Sequence, residues 1–97
     1  ICPTACTLPF DVEQQSLKSL GDHAFDNYME WLALPSVLSL TSCPVLSLPV
    51  GFSEAGLPVG MQLVAPPRAE HLLLAAAYKA EQALEVGSAN PIDPKTF

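Results

Sequence analysis

Residues 45–64 read VLSLPVGFSEAGLPVGMQLV, two short apolar runs that each contain a Pro-x-Gly triplet. The runs at residues 45–51 and 59–64 are rich in Val and Leu, which predicts two strands. Between them, Ser53-Glu54-Ala55-Gly56 has the composition of a turn. The stretch therefore predicts a β-hairpin whose prolines and glycines require a structural explanation.

The two Pro-x-Gly triplets limit how the strands can pair. Pro49 and Pro58 have no N–H to donate to a ladder, so we expect them at strand ends. Gly51 and Gly60 are expected to mark a bulge or a close backbone approach. This narrows the predicted pairing to residues 45–48 and 59–64, with residues 49–58 as a shaped connection.

The sequence before the hairpin predicts an extended start and short helices. Residues 1–10, with prolines at 3 and 9, indicate a strand end and a loop. Residues 11–20 predict a short helix that Asp11 caps and Gly21 stops. Residues 24–34 predict a second helix that starts after Asp22 and ends at Pro35, which can itself begin another short helix. Its apolar face comprises Phe25, Tyr28, Met29 and Leu32.

The sequence after the hairpin predicts one long helix over residues 69–85. Its apolar positions, at helical spacing, are Leu73, Ala77, Ala80 and Leu84. Residues 86–97 are polar and contain proline, so we expect an irregular tail. The order of strand end, helices, hairpin and helix indicates an α/β body.

Composition indicates a body that needs a partner. The chain has 97 residues, of which 49% are hydrophobic and 14% charged, against about a quarter charged in ordinary domains. So small a body leaves apolar surface exposed. No apolar run is long enough for a membrane span. The start, Ile1-Cys2-Pro3-Thr4, resembles the cut end of a buried strand, which makes the chain a candidate fragment.

Charge and cysteine content exclude several classes of protein. The net charge is −6 with no basic patch, so we expect no nucleic-acid partner. Three cysteines form an odd set that does not suit a disulfide framework, which indicates reduced cysteines in a cytoplasmic protein. Cys2 and Cys6 could form half of a metal site, but no Cys/His pair completes it.

No catalytic motif is present in the sequence. It lacks a phosphate-binding loop, HExxH, GxSxG and Ser-x-x-Lys. A triad could be drawn from Ser39, His71 and Asp22, and Cys43 could pair with His71 as a nucleophile. Structural roles for these side chains are favoured, since any chain of this size permits such combinations.

Several segments together resemble the C-terminal region of the amidase signature family. Residues 42–52 (SCPVLSLPVGF) carry a small residue and Pro, then a strand ending in Pro-x-Gly. Residues 56–66 (GLPVGMQLVAP) carry the GLPxGxQ strand, and residues 70–75 (EHLLLA) begin the following helix, with Glu81 further along it. Two earlier segments also resemble the family: residues 1–4 (ICPT) are similar to its Pro-Thr strand, and residues 27–31 (NYMEW) to its Tyr-x-x-Trp helix. The resemblance covers essentially the whole chain.

The resemblance implies a fold and a chemistry. The fold is α/β, the C-terminal portion of a mixed sheet flanked by helices. The chemistry is hydrolysis or transfer at a carboxamide C–N bond with no metal or other cofactor, by a serine nucleophile, a second serine joined by a cis peptide and a lysine base. That Gly/Ser-rich catalytic segment is absent from these 97 residues. Residues 1–97 are thus expected to be a partial domain, inactive alone.

The resemblance also implies partners and a pocket. The expected partners are the remainder of an amidase polypeptide, or a second copy through exposed apolar surface, and a small-molecule amide. By analogy with the family, the expected pocket-lining residues are Trp31, Leu34, Leu38 and Thr41. The family often has Asn and Gly before the first Pro, whereas Thr41-Ser42-Cys43 stand here, so the resemblance names no particular amide. The alternative is a non-catalytic hairpin-helix module for binding or assembly.

Overall fold

The computed structural model describes residues 1–89, and the side chains of residues 1–87. It shows a mixed α/β chain, as predicted, with two small antiparallel sheets. No helix in this part is both long and apolar enough to cross a membrane. In chain order the elements are β1 (Cys2–Pro3), β2 (Ser19–Leu20), β3 (His23–Ala24), α1 (Tyr28–Trp31), α2 (Ala33–Ser39), β4 (Val45–Phe52), β5 (Pro58–Val64), α3 (Glu70–Leu84) and α4 (Val86–Ala89).

The predicted hairpin is confirmed as the pair β4 and β5. Its turn is closed by the Gly56 N–H, which donates to the Ser53 carbonyl at 2.9 Å. The order of the main sheet is β1-β5-β4, and both pairs are antiparallel. β5 is therefore central, and it runs between the hairpin partner and the two-residue strand at the chain start.

The pairing extends further than the narrowed prediction allowed. Pro49 pairs with Gly60 and Phe52 with Pro58, so residues 49–52 belong to β4 rather than to a connection. A register shift between Pro49 and Gly51 marks a β-bulge. Gly51 has φ +149°, a conformation that glycine adopts readily and other residues do not. The bulge accommodates one extra residue in β4, and regular pairing resumes with Gly51 opposite Val59.

One small core joins the sheet to α3. The buried apolar residues are Leu48, Leu63, Ala65, Leu73 and Ala77, with Leu46, Met61, Ala69 and Ala80 packed around them. Three of the four predicted α3 positions face this core, and Leu84 is 43% exposed. The helix ends at Glu85, which has φ +55° and donates its N–H to the Glu81 carbonyl.

The helix predicted at residues 11–20 is wrong. The Asp11 carboxylate accepts from the Glu13 N–H at 2.9 Å and the Asp11 carbonyl from the Gln14 N–H at 3.0 Å, which closes a local turn. Asp side chains compete with helix formation in this way. The segment also lacks an apolar stripe, and Val12 is 92% exposed. Its end forms β2, which pairs with β3 around Gly21.

The helix predicted at residues 24–34 begins later and is divided in two. Its cap is Asn27 rather than Asp22, because residues 23–24 lie in β3. The Asn27 side chain accepts from the N–H groups of Met29 and Glu30. Leu32 separates α1 from α2, and Pro35 lies in the first turn of α2, where its missing N–H costs no helix bond.

The tail differs from the prediction at its start. Residues 86–89 form the single helical turn α4 instead of an irregular segment. The rest of the predicted irregular tail, residues 90–97, lies outside the described residues.

Candidate functional site

An apolar cleft of about 500 Å³ lies where the start of the chain meets the hairpin. One wall is the loop after β1, the floor is the start of β5, and the end of α1 closes one side. Its lining residues are Pro3, Thr4, Ala5, Cys6, Thr7, Leu8, Pro9, Phe10, Trp31, Pro58, Val59 and Gly60. The cleft therefore lies between two segments of the resemblance, the Pro-Thr segment and the GLPxGxQ strand.

Thr4 fixes the loop wall to the sheet. Its N–H donates to the Gly60 carbonyl at 3.2 Å, which continues the β1–β5 ladder by one residue. Its hydroxyl lies 2.8 Å from the Ser47 hydroxyl on β4. A Cβ at residue 60 would lie 2.9 Å from Thr4 Oγ1. Gly60 thus permits the close backbone approach that the sequence predicted.

Trp31 forms the aromatic wall of the cleft. Its ring meets Phe10 and Tyr28 edge to face, with centroids 5.8 Å apart in both pairs. The Cys6 thiol donates to the Trp31 carbonyl at 3.4 Å. The indole N–H is buried and has no acceptor among the described residues. The aromatic contacts therefore hold the ring in place at the expense of an unsatisfied donor.

The cleft lining carries no charged side chain. Its polar groups are the hydroxyls of Thr4 and Thr7 and the thiol of Cys6. Neither a carboxylate, an imidazole nor an amine lines it, so it offers no general base to activate a nucleophile. Within residues 1–89, no group of three His, Cys, Asp or Glu side chains could hold a metal ion. The lining of the cleft thus suits an apolar group.

The structure separates the four predicted pocket residues. Trp31 lines the cleft, whereas Leu34 and Leu38 line a second depression of about 380 Å³ beside Cys2. Thr41 lines neither of these two cavities. Its hydroxyl donates to the Leu38 carbonyl at 2.7 Å and accepts from the Cys43 N–H at 3.3 Å, so it closes the end of α2.

Sequence reasoning missed the loop wall of the cleft. Residues 4–10 were predicted only as an extended loop, and neither Thr4 nor Phe10 was proposed to line a pocket. A signal for Thr4 was nevertheless present. Gly60 was expected to mark a close approach, and the approaching residue is Thr4.

Glu30 organises the polar surface next to Trp31. Its carboxylate accepts from the Asp26 N–H at 2.6 Å and lies 3.0 Å from His23 Nε2. The bond from Asp26 and, secondarily, that from His23 lower the pKa of Glu30 below its ordinary value. Glu30 thus ties the β2–β3 hairpin to α1.

Comparison with known proteins matches this chain to one family. The family model described as Amidase matches residues 1–74. The chain is 40% identical over 82 residues to a glutamyl-tRNA(Gln) amidotransferase subunit of Trichodesmium erythraeum, and the match covers 84% of this chain and 16% of that protein. It is 38% identical over 89 residues to the protein of the same name from Moorella thermoacetica, covering 92% and 17%.

A further relative of the same name, from Synechococcus sp. (strain CC9605), is 42% identical over 73 residues, or 73% of this chain and 15% of that protein. No solved structure matches. The chain thus spans less than a fifth of the length of these relatives. A family model that covers residues 1–74 places most of the chain within one family. The chain belongs to the amidase family.

Proposed function

We propose that this chain is the C-terminal part of an amidase-signature fold and forms one side of the pocket for a carboxamide. The C–N bond is cleaved by the family's Ser–cis-Ser–Lys machinery, which lies outside these 97 residues. One observation carries the proposal. The Amidase match spans residues 1–74, yet the cleft contains no side chain that could act as a base. We therefore expect the chain alone to be inactive.

The exposed apolar side chains support the proposal that this chain is one part of a larger folded domain. Among the described residues, no large side chain is fully buried, and the core comprises five apolar residues. Many large apolar side chains remain exposed, including Phe52 at 51%, Leu74 at 60% and Tyr78 at 60%. Leu74 and Tyr78 lie one turn apart on α3, and an exposed apolar patch marks an interaction site. The missing part of the amidase is the partner that we propose for it.

The cleft supports a specific contribution to the pocket. Its apolar lining suits the carbon side of an amide, while the catalytic groups would approach from the missing part. Within this chain we assign pocket contacts to Trp31 in the cleft and to Leu34 and Leu38 in the second depression. Thr41 contributes indirectly, because it closes the helix that carries Leu38.

The relatives suggest an amide donor. Their name is that of a glutamyl-tRNA(Gln) amidotransferase, so glutamine is the first amide to test, together with a simple primary carboxamide. The net charge of −6 and the absence of a basic patch indicate that any tRNA contact is made outside this chain.

A chimera provides the test. In it, this chain replaces the matched segment of the Trichodesmium erythraeum relative. We expect the isolated chain to release no ammonia from glutamine or from propionamide, and to self-associate in light scattering. Ammonia release by the isolated chain would overturn the proposal. So would a monomer that unfolds cooperatively and leaves the activity of the truncated relative unchanged when joined to it, which is the behaviour of an independent binding module.

A further inference from the structure

Gln62 is a buried polar side chain on the central strand of the main sheet. It is only 5% exposed, and it does not belong to the lining of the cleft. Its side-chain N–H donates to the Pro3 carbonyl at 3.0 Å and approaches the Cys2 sulfur at 3.8 Å. Burial of an amide is unfavourable unless the amide is hydrogen-bonded. The bond to Pro3 therefore stabilises Gln62 in this position.

The pairing of β1 with β5 explains why the Pro3 carbonyl takes a side-chain donor. The Thr4 N–H donates to the Gly60 carbonyl, so these two residues form a hydrogen-bonded pair. Such pairs alternate with non-hydrogen-bonded pairs in an antiparallel ladder. Pro3 opposite Met61 is therefore in a non-hydrogen-bonded pair, and its carbonyl points away from β5. The Gln62 side chain reaches across β1 to bond to it.

The same alternation decides the bonds on the other side of β5. Because Gly60 directs its backbone groups to Thr4, Met61 directs its own to β4, where it lies opposite Leu48. Pro49 lies opposite Gly60 in a non-hydrogen-bonded pair, so its missing N–H removes no bond to β5. The Met61 amide thus reports on the pairing of β5 with β4, and the Thr4 amide on the pairing of β5 with β1.

The Gln62 side chain lies on the face of the sheet opposite α3. Leu48 and Met61 lie opposite each other and pack in or against the core beneath α3. Successive side chains of a strand point to opposite faces, so Ser47 and Gln62 point away from that core. Thr4 lies on this face too, since its hydroxyl is 2.8 Å from that of Ser47.

These polar side chains attach the loop wall of the cleft to the sheet. β1 has only two residues, and the backbone bond from Thr4 to Gly60 measures 3.2 Å, the long end of the ordinary range. Gln62 adds a bond at Pro3, and Ser47 adds one at Thr4. Pro3 and Thr4 both line the cleft. Their positions therefore set its width.

We propose that Gln62 is a positioning residue for the amide pocket. Through the Pro3 carbonyl it fixes the loop wall, and so it determines how tightly the amide is held. The inference rests on the proposed function, because the cleft contacts an amide only in the complete amidase. A wall that contacts ground state and transition state equally changes KM and leaves kcat unchanged. Loss of the bond is therefore expected to weaken substrate binding rather than the chemical step.

Kinetics of the chimera separate this role from simple space filling. Gln62→Met keeps the length of the side chain and removes the donor to Pro3. We expect KM for glutamine to rise about tenfold while kcat changes less than about twofold. Leu63→Val is the control, because Leu63 lies on the same strand and packs in the core. It should lower the midpoint of urea unfolding and leave KM unchanged.

Amide hydrogen exchange at single-residue resolution tests the same bond without activity. In the chimera, Gln62→Met is expected to accelerate exchange of the Thr4 amide about tenfold while the Met61 amide stays protected, because only the attachment of the loop wall is weakened. Leu63→Val should not accelerate Thr4 alone. Equal acceleration at Thr4 and Met61 in Gln62→Met would overturn the inference, since Gln62 would then stabilise the whole sheet.

The outcomes distinguish this inference from the proposed function. A chimera that hydrolyses glutamine, and in which Gln62→Met changes neither KM nor exchange at Thr4, would contradict this inference alone. The same holds if Leu63→Val raises KM as much as Gln62→Met does. A folded chimera that does not hydrolyse glutamine would contradict the proposed function as well.

Discussion

Thr4 and Gly60 approach so closely that a methyl group on residue 60 would lie 2.9 Å from Thr4 Oγ1 and 3.2 Å from Thr4 Cβ. The contact joins the loop wall of the cleft to the floor. Turning away would separate the Thr4 hydroxyl from that of Ser47, which lies 2.8 Å from it. The shape of the cleft thus depends on the absence of a side chain at residue 60.

Gly60→Ala in the chimera is expected to lower the free energy of unfolding by about 1–3 kcal/mol, the range for overpacking a fitted contact. The reason is space, since Gly60 does not have a positive φ. Urea unfolding measures the loss. The double variant with Thr4→Gly should recover most of it, and Thr4→Ala should recover less because the Thr4 Cβ is also close. Equal losses with and without Thr4→Gly would show that this contact is not the cause.

Gly51→Ala is expected to cost about 1–3 kcal/mol for the opposite reason, which is backbone strain. Gly51 has φ +149° at the bulge, and a Cβ there would meet nothing within 4 Å. Truncating neighbouring side chains should therefore recover none of the loss. Urea unfolding beside the Gly60 variants separates the two mechanisms. A Gly51→Ala variant as stable as the parent would refute the conformation of the bulge.

Because the indole N–H of Trp31 has no acceptor among the described residues, Trp31→Phe and Trp31→Ala should lower the free energy of unfolding by different amounts. Trp31→Phe keeps an aromatic ring against Phe10 and Tyr28 and removes the buried N–H that lacks an acceptor. We expect it to cost about 1 kcal/mol or less, because losing an unpaired donor offsets lost packing. Trp31→Ala is expected to cost about 3 kcal/mol. Equal costs in urea unfolding would mean that the N–H has a partner.

The Glu30 carboxylate contacts His23 of the β2–β3 hairpin. This contact predicts that the stability of the fold depends on pH. The pKa of Glu30 is lowered below the ordinary value of a Glu side chain by the Asp26 N–H and by His23. A depressed pKa in the folded state stabilises the fold above the unfolded pKa and loses that effect as the pH falls through the folded value. The difference in stability between pH 7 and pH 3 should therefore shrink in Glu30→Gln. An NMR titration in which the Glu30 pKa is not lowered relative to that of the unfolded chain would contradict the contact.

The pattern of apolar residues in the sequence predicted α3 and the β4–β5 hairpin, the elements whose side chains form the core. α3 was predicted because its apolar residues repeat at helical spacing and face the sheet, and the hairpin because its Val and Leu runs flank a turn. The limits of pairing were missed because a proline on an outward position costs no ladder bond. Pro49 shows this, since its missing N–H faces away from β5.

The first third of the chain was predicted poorly because side chains that bond to the backbone decide its structure. Asp11 closes a turn instead of capping a helix, and Asn27 caps α1 in place of the expected Asp22. The local pairing of β2 with β3 takes up residues 23–24, so α1 begins only after Asn27. The loop wall of the cleft was missed for a different reason. Trp31 was assigned to a pocket, whereas Thr4 lies there through the β1–β5 pairing, which joins distant parts of the sequence.

Ammonia release from glutamine decides whether this chain completes an amidase whose catalytic residues lie elsewhere. The measurement compares the chimera with the same relative lacking its matched segment. We predict that the chimera hydrolyses glutamine and that the truncated protein does not. A folded chimera that is as inactive as the truncated protein would contradict the proposed function.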